Sequence, residues 1–391
     1  MSIPTPTILV VDDSHVNVEI LQEVLCDYNL LVAYNGDEAF QLALSSPKLD
    51  LILLDVIMPG KDGYEVCRLL KDNESTKDIP IIFITAQTDP GNIIKGFEMG
   101  AVDYIAKPFN IPELMARVKT QLTIKMAHDR NEELVQRIEN INKQLTDSIS
   151  YAQKIQNASF PKAEYLDRIM PEYFVLLKPR DIVSGDFYWV SRMGRKLVVV
   201  AADCTGHGVP GAIMSMFGVA FLHQIVGVMG ETTPAFILNE MRSVIIGSLQ
   251  QSEESEVKDG MDMSIVTIDA DEKVLEYAGA FNPLFFIRNG QITVVPSDSM
   301  PVSYGEIDRS FNNQNIAYQA GDCFYLFSDG FASQFGGEND KKLKQIGFRQ
   351  LILDNHALPM CEQKDVYDAF FEKWKGNREQ IDDVLLMGIR L

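Results

Sequence analysis

Short apolar runs punctuate the first 120 residues, separated by stretches whose hydrophobic positions recur at helical spacing. Residues 8–11, 30–34, 49–54, 79–84 and 102–106 read as strands, and 16–25 and 37–44 as helices. Strands alternating with helices predict a parallel sheet covered on both faces. Beyond it, Pro112 suits the first turn of a helix that runs well past Leu122. From Leu134 the apolar positions continue at Ile138, Ile141, Leu145, Ile149, Ala152 and Ile155 or Gln156. Those spacings form a heptad seam with one four-residue stutter near Ile149. A single amphipathic helix packed on its own domain shares that pattern. Residues 131–143 are otherwise almost all polar, which favours a two-chain coiled coil. The stutter and Phe160-Pro161 mark where such a helix stops carrying a change in pairing onward.

After residue 160 the apolar runs become strand-like again, and each lies against an acid. Gly185-Asp186 precedes an aromatic run, and 198–202 delivers Asp203 to a tight Gly206-His207-Gly208 turn. The 323–327 run leads into Ser328-Asp329-Gly330, and Asp382-Asp383 opens the last strand. Between them, residues 209–230 contain only His223 as an ionisable group. Residues 211–230 are long enough to span a bilayer. They include Ser215, Gly218, His223, Gln224 and Gly227 and lack flanking Lys or Arg, which predicts a helix buried on all sides in a soluble domain.

Length sets two or three domains for 391 residues. A net charge of −20 disfavours nucleic acid and anionic membrane as partners, since both surfaces would repel the chain. Five cysteines without a C-x-x-C pair suit reduced thiols in a cytoplasm, and no secretory signal opens the sequence.

Strands of the first half end in Asp12-Asp13, Asp55, Thr85 and Lys107. In parallel sheets the site forms at the carboxyl ends of the strands. Acids there can hold Mg²⁺ while one Asp attacks a phosphoryl group, and Lys and Thr stabilise the added charge. With V-D-D, D-V-I-M-P-G, T-A and K-P-F in this order, residues 5–122 resemble the receiver domain of two-component response regulators. The resemblance implies a five-stranded, flavodoxin-like fold with Asp55 as phosphoacceptor. It also implies a Mg²⁺ shell of Asp12, Asp13, Asp55 and the Ile57 carbonyl. Thr85 and Tyr104 would be the switch pair, Lys107 the contact to the phosphoryl group, and Lys107-Pro108 a cis bond.

Four separate acids at strand ends, with few His and no Cys-His spacing, suit Mg²⁺ or Mn²⁺ and disfavour zinc. Two hard cations sharing a carboxylate could hold a hydroxide nucleophile and neutralise a phosphoryl group. The motifs G-D-F-Y-W, A-D-C-T-G-H-G-V-P-G-A, D-G-M-D-M, A-G-A-F-N-P-L, S-D-G and I-D-D then recur in family order over about 165–391. This part is similar to the PPM-type serine/threonine phosphatases of the stage II sporulation protein E branch. By that resemblance Asp186 and Asp203, with the Cys204 carbonyl, hold one Mn²⁺ or Mg²⁺, and Asp203, Asp329 and Asp382 the second. The implied fold is two antiparallel sheets packed face to face with helices outside, and A-G-A-F-N-P-L would be core strand. Asp259 and Asp262 receive no role, and His207 is either a group behind the ligands or a turn donor. The branch has Thr and an acid after S-D-G where this chain has Ala332 and Ser333, which puts the flap 334–344 in question. Cys204 as a thiol nucleophile is rejected, because that chemistry needs C-x5-R and position 210 is proline.

The expected organisation is a receiver over 1–122, a helical coiled-coil connector over 123–160 and a phosphatase over 161–391. The expected function is a cytoplasmic response regulator that removes phosphate from phosphoserine or phosphothreonine of a regulatory protein, such as an anti-sigma-factor antagonist. Its partners would be a sensor histidine kinase or phosphotransfer protein, that substrate, and a second copy joined through the connector. The alternative is a catalytically silent phosphatase-like domain that docks a partner under receiver control.

Overall fold

The computed structural model describes residues 5–46, 48–86, 89–256, 258–305 and 309–391. The chain divides into two units, Met1–Asn142 and Lys143–Leu391. In the first, β1 (Thr7–Val11), α1 (His15–Val24), β2 (Asn29–Ala33), α2 (Gly36–Ser45), β3 (Leu51–Asp55), α3 (Gly63–Lys71), β4 (Ile81–Thr85), α4 (Pro90–Glu98) and β5 (Asp103–Ala106) alternate. All pairings are parallel, in the order β2-β1-β3-β4-β5. The central strands β3 and β4 are buried throughout, as a sheet covered on both faces requires. Alternate residues divide between two cores: Leu9, Ile52 and Leu54 meet Ala39 and Val66, while Ile8, Leu53 and Ile82 meet Leu21, Leu114 and Val118. Asn35, Asp62 and Asp89 cap the helices that follow them by accepting backbone N–H bonds.

The helix α5 (Ile111–Ser159) is continuous through the boundary between the units. Its residues Leu114, Val118 and Leu122 are buried, and from 123 to 159 only Gln156 is. Leu134, Ile138, Ile141 and Leu145 are each 42–58% exposed, so the heptad stripe is uncovered in the single chain.

The second unit continues with α6 (Ala163–Ile169), β6 (Glu172–Lys178), β7 (Phe187–Met193), β8 (Lys196–Cys204), α7 (Gly208–Leu222), a π-helical turn His223–Val228, and α8 (Pro234–Ser248). Next come β9 (Met261–Asp269), β10 (Val274–Ala280), β11 (Leu284–Arg288), β12 (Gln291–Val295), β13 (Gln314–Ala317) and β14 (Cys323–Phe327). It ends with α9 (Gly330–Ser333), β15 (Phe335–Gly336), β16 (Lys341–Lys342), α10 (Lys344–Asn355), α11 (Met360–Lys375) and β17 (Val384–Arg390). Two antiparallel five-stranded sheets, β13-β10-β9-β8-β7 and β12-β11-β14-β17-β6, form the centre. Val199, Val266 and Tyr277 of the first face Phe324, Leu326 and Leu385 of the second. The outer face of the first sheet packs Val200 and Ile265 against Met214, Leu222 and Leu238 of α7 and α8. That of the second packs Tyr325 and Phe327 against Phe348, Tyr367 and Phe371 of α10 and α11.

Two expectations need correction. The A-G-A-F-N-P-L run is a corner between β10 and β11, not a continuous core strand: Phe281 has φ +54° and is exposed. The corner is tied down by the Asn282 carbonyl, which accepts from the Tyr277 hydroxyl at 2.7 Å and the Ser264 hydroxyl at 2.8 Å. Nor is the long apolar helix buried on all sides. Gly208–Val228 is long and apolar enough to cross a membrane, yet half of it is buried: Met214, Val219 and Leu222 pack on the sheet while Val209, Ile213 and Phe217 are exposed. An apolar composition on every face hid which side meets the sheet.

Candidate active site

At the carboxyl ends of β1, β3 and β5, the Lys107 ammonium lies 2.6 Å from Asp55 and 2.8 Å from Asp12. Asp12, Asp13 and Asp55 each offer an oxygen within 4.8 Å of the others, a spacing one hard cation can bridge. Asn17, in the first turn of α1, donates to both oxygens of Asp12 at 3.0 and 3.1 Å, a contact without any sequence signal. Burial pushes the Asp55 carboxyl above its ordinary range, and Lys107 works against that rise. The Ile57 N–H donates to Asp55 at 3.3 Å, which places that residue's backbone at the site. Thr85 is buried at the end of β4, Tyr104 lies on β5 with the Arg117 guanidinium 5.5 Å above its ring, and Lys107-Pro108 is cis. Asp12, Asp13, Asp55 and Lys107 therefore share one end of the sheet, and Thr85 and Tyr104 line one pocket with Val56, the neighbour of Asp55.

In the second unit the acids come from five elements. Asp186 immediately precedes β7, Asp203 lies near the end of β8, and Asp329 is the residue before α9. Asp382 stands two residues before β17, and Asp262, given no role from sequence, pairs directly with Asp203 across β8 and β9. The Ser328 hydroxyl donates to Asp186 at 2.5 Å and accepts from the Leu385 N–H at 2.9 Å, joining β14, β7 and β17 at one point. Asp203 accepts a backbone hydrogen bond from Asp329. Gly185 and Gly211 leave no room for a side chain: a Cβ would meet the Gly206 carbonyl at 2.7 and 2.3 Å. That close approach also brings the Cys204 carbonyl within 3.4 Å of a Cβ on Gly185, beside Asp186.

The acids feel one another. Burial and then the charge of Asp203 hold Asp186 well above the carboxylate range. Asp203 is pushed up to about 8 by burial, Asp329, Asp382 and Asp262. Asp262 rises to about 7 through burial and Asp329, and Asp382 is raised chiefly by burial. Among the described residues none of these five carboxylates has an ion pair with Lys or Arg. A converging set of oxygen donors without a compensating cation fits divalent metal ions of the hard class. No three of these acids bring ligand atoms within 4.8 Å of one another, in contrast to the first unit. The Cys204 thiol is buried and pushed far above its ordinary pKa, which removes it as a nucleophile.

Supporting contacts answer the question raised by Ala332 and Ser333. The Ser333 hydroxyl donates to Asp329 at 3.2 Å, and Ala332 is a buried residue packed among aromatic side chains. Gln334, fully buried, accepts from the Ile381 N–H at 3.1 Å and so ties the flap to the Asp382 segment. Asp383 accepts from Arg180 N–H at 2.7 Å and Gly185 N–H at 2.6 Å, an anchoring role distinct from that of Asp382. His207 pairs with Asp181 at 2.8 Å on the exposed rim, and its charge lowers the pKa of Asp382.

A receiver pocket on one unit and an acid-lined β-sandwich rim on the other define a response regulator with a PPM-type phosphatase domain. Residues 193–391 match the profile of the stage II sporulation protein E (SpoIIE) family and residues 8–119 that of the response regulator receiver domain, so the chain belongs to the SpoIIE family. It is similar to the solved SiaA-PP2C domain of Pseudomonas aeruginosa, at 30% identity and a TM-score of 0.59, over 64% of this chain and 98% of that one. The receiver is 43% identical over 124 residues to a probable cyclic di-GMP phosphodiesterase of Vibrio cholerae, covering 32% of this chain and 28% of that protein. It is 46% identical over 118 residues to the phosphate regulon transcriptional regulatory protein PhoB of Pseudomonas aeruginosa, covering 30% of this chain and 51% of that protein.

Proposed function

We propose that the chain hydrolyses phosphoserine or phosphothreonine on a regulatory protein, under control of phosphorylation at Asp55. The observation that carries this reading is the convergence of Asp186, Asp203, Asp329 and Asp382, from separate elements, with no Lys or Arg ion pair to any of them among the described residues. Asp186 and Asp203, with the Cys204 carbonyl, would hold one Mn²⁺ or Mg²⁺, and Asp203, Asp329 and Asp382 the other. Bound there, two such ions acidify a water and neutralise charge on a phosphoryl group. The chain's own part is to hold the carboxylates in place: Ser328 holds Asp186, Ser333 holds Asp329, and Gln334 fixes the approach to Asp382. In the receiver, Asp12, Asp13, Asp55 and the Ile57 carbonyl would hold Mg²⁺, Lys107 and Thr85 would meet the phosphoryl group, and Tyr104 would complete the switch.

The segments acting in this scheme are 1–122, 123–160 and 161–391. The exposed stripe Leu134, Ile138, Ile141 and Leu145 supports pairing of two copies through the connector. A sensor histidine kinase or phosphotransfer protein would load Asp55, the substrate would be a phosphorylated regulator such as an anti-sigma-factor antagonist, and the setting would be cytoplasmic. The test is Mn²⁺-dependent hydrolysis of p-nitrophenyl phosphate by the full chain, with Asp203→Asn as control. Turnover lost in the variant supports the reading; no turnover by the parent with any divalent ion leaves the docking role.

A further inference from the structure

Gln156 is the one buried residue in the last 37 positions of α5, and its carboxamide is fully used. Its Nε2 donates to the Ser184 carbonyl at 2.6 Å and to the Ser215 hydroxyl at 2.8 Å, and its Oε1 accepts from the Ser184 N–H at 3.1 Å. Both backbone groups of Ser184 thus meet one side chain from α5, and the carbonyl accepts a longer bond from the Ser215 hydroxyl at 3.5 Å. A carboxamide carries donors and an acceptor on adjacent atoms, which lets one side chain meet both backbone groups. Ser215 in turn donates to the Ala212 carbonyl of α7 at 2.9 Å, so the same amide ties α7 to the turn. Two residues on from Ser184 stands Asp186. Gly185 between them is held from the other side by Asp383, and its Cα abuts Gly211 of α7.

We propose that Gln156 is a positioning residue for Asp186: it sets the Ser184-Gly185-Asp186 turn and with it the geometry of the candidate metal site. The proposal rests on the phosphatase reading above. Rotating α5 by one residue, about 100°, would carry the carboxamide away, leaving the Ser184 N–H buried and unpaired and its carbonyl with only the 3.5 Å bond from the Ser215 hydroxyl. The Ser184 hydroxyl is already buried without a partner, so the turn keeps only that one long bond in reserve. Metal affinity is therefore tied to the register of this helix end. Ile155, the residue before Gln156, is exposed.

The experiment compares full-length parent, Gln156→Ala, Ser215→Ala and Asp203→Asn by Mn²⁺ calorimetry and by p-nitrophenyl phosphate turnover against Mn²⁺ concentration. Gln156→Ala is expected to raise the Mn²⁺ needed for half-maximal turnover about 10- to 100-fold. At saturating Mn²⁺ its rate should return to within about threefold of the parent. Ser215→Ala, which removes one partner of the amide and the longer 3.5 Å bond to the Ser184 carbonyl but leaves both Gln156–Ser184 bonds, should shift the Mn²⁺ requirement the same way by less. An unchanged Mn²⁺ requirement in folded Gln156→Ala overturns the proposal, as does a rate loss that Mn²⁺ fails to restore. Should Gln156→Ala not fold, an unchanged requirement in Ser215→Ala overturns it equally. Equal Mn²⁺ binding by parent and Asp203→Asn would instead sink the phosphatase reading, and this inference with it.

Discussion

Asp186 shows how little room the site leaves at the level of single atoms. It is buried among acids, its one short bond comes from Ser328, and removing that hydroxyl leaves a carboxylate without its orienting donor. Ser328→Ala should cut turnover by about 10- to 100-fold at limiting Mn²⁺, in keeping with loss of a group behind a metal ligand. Asp203→Asn should cost on the order of 10³ in rate at all Mn²⁺ concentrations, since it removes several kcal/mol of metal-assisted stabilisation. Both are read from steady-state rates. In the receiver, Asp55→Asn should abolish phosphorylation by a small phosphodonor, seen by phosphate-affinity electrophoresis. The acids at strand ends were legible in the sequence because each stands beside an apolar run, at its end for Asp203 and Asp329 and at its start for Asp186 and Asp382. Asp262 was not: its D-G-M-D-M stretch received no role from sequence, and only antiparallel pairing with Asp203 brings it to the rim. Ser328, Asn17 and Gln156 were equally hidden, since a polar side chain's partner 142, 5 or 28 positions away has no periodic signature.

Among the elements, period decided what could be read. Alternating and continuous apolar runs located β1, β3, β4, β8 and β14 to within a residue or two, because sheet burial demands those patterns. The uniformly apolar 209–230 stretch gave its helix but not its buried face, and the run ending at Ala280 concealed a corner that depends on tertiary hydrogen bonds. The α10 helix packs Phe348 against Phe327 and Phe331 at ring separations of 5.1 and 4.9 Å, next to the Asp329 turn. Phe348→Ala should therefore lower stability by about 3–5 kcal/mol, measured by denaturant unfolding of the full chain. For α5, replacing both Ile138 and Leu145 by Asp should yield monomers in light scattering if the exposed stripe is a pairing seam. A dimer unaffected by both changes would place any pairing elsewhere.

Across the whole molecule, the acid cluster sets how stability responds to pH. Asp203 and Asp262 have folded pKa values of about 8 and about 7, above the ordinary 3.8, because burial and neighbouring acids disfavour their charged forms. The folded protein therefore holds protons that the unfolded chain releases, and this contribution to stability is lost as pH rises from about 4 through about 8. Stripped of metal, the second unit should melt at a higher temperature near about pH 5.5 than near about pH 8.5. Mn²⁺ should reverse that order, because ions compete with protons for the same oxygens. Scanning calorimetry with and without EDTA checks both signs.

The most direct test is turnover of a phosphoserine peptide by the full-length chain with Mn²⁺, in parallel with EDTA-treated protein and Asp203→Asn. The account predicts hydrolysis in the first sample and none above background in the other two. Hydrolysis that persists in EDTA, or its absence from the parent with every divalent ion, would contradict it.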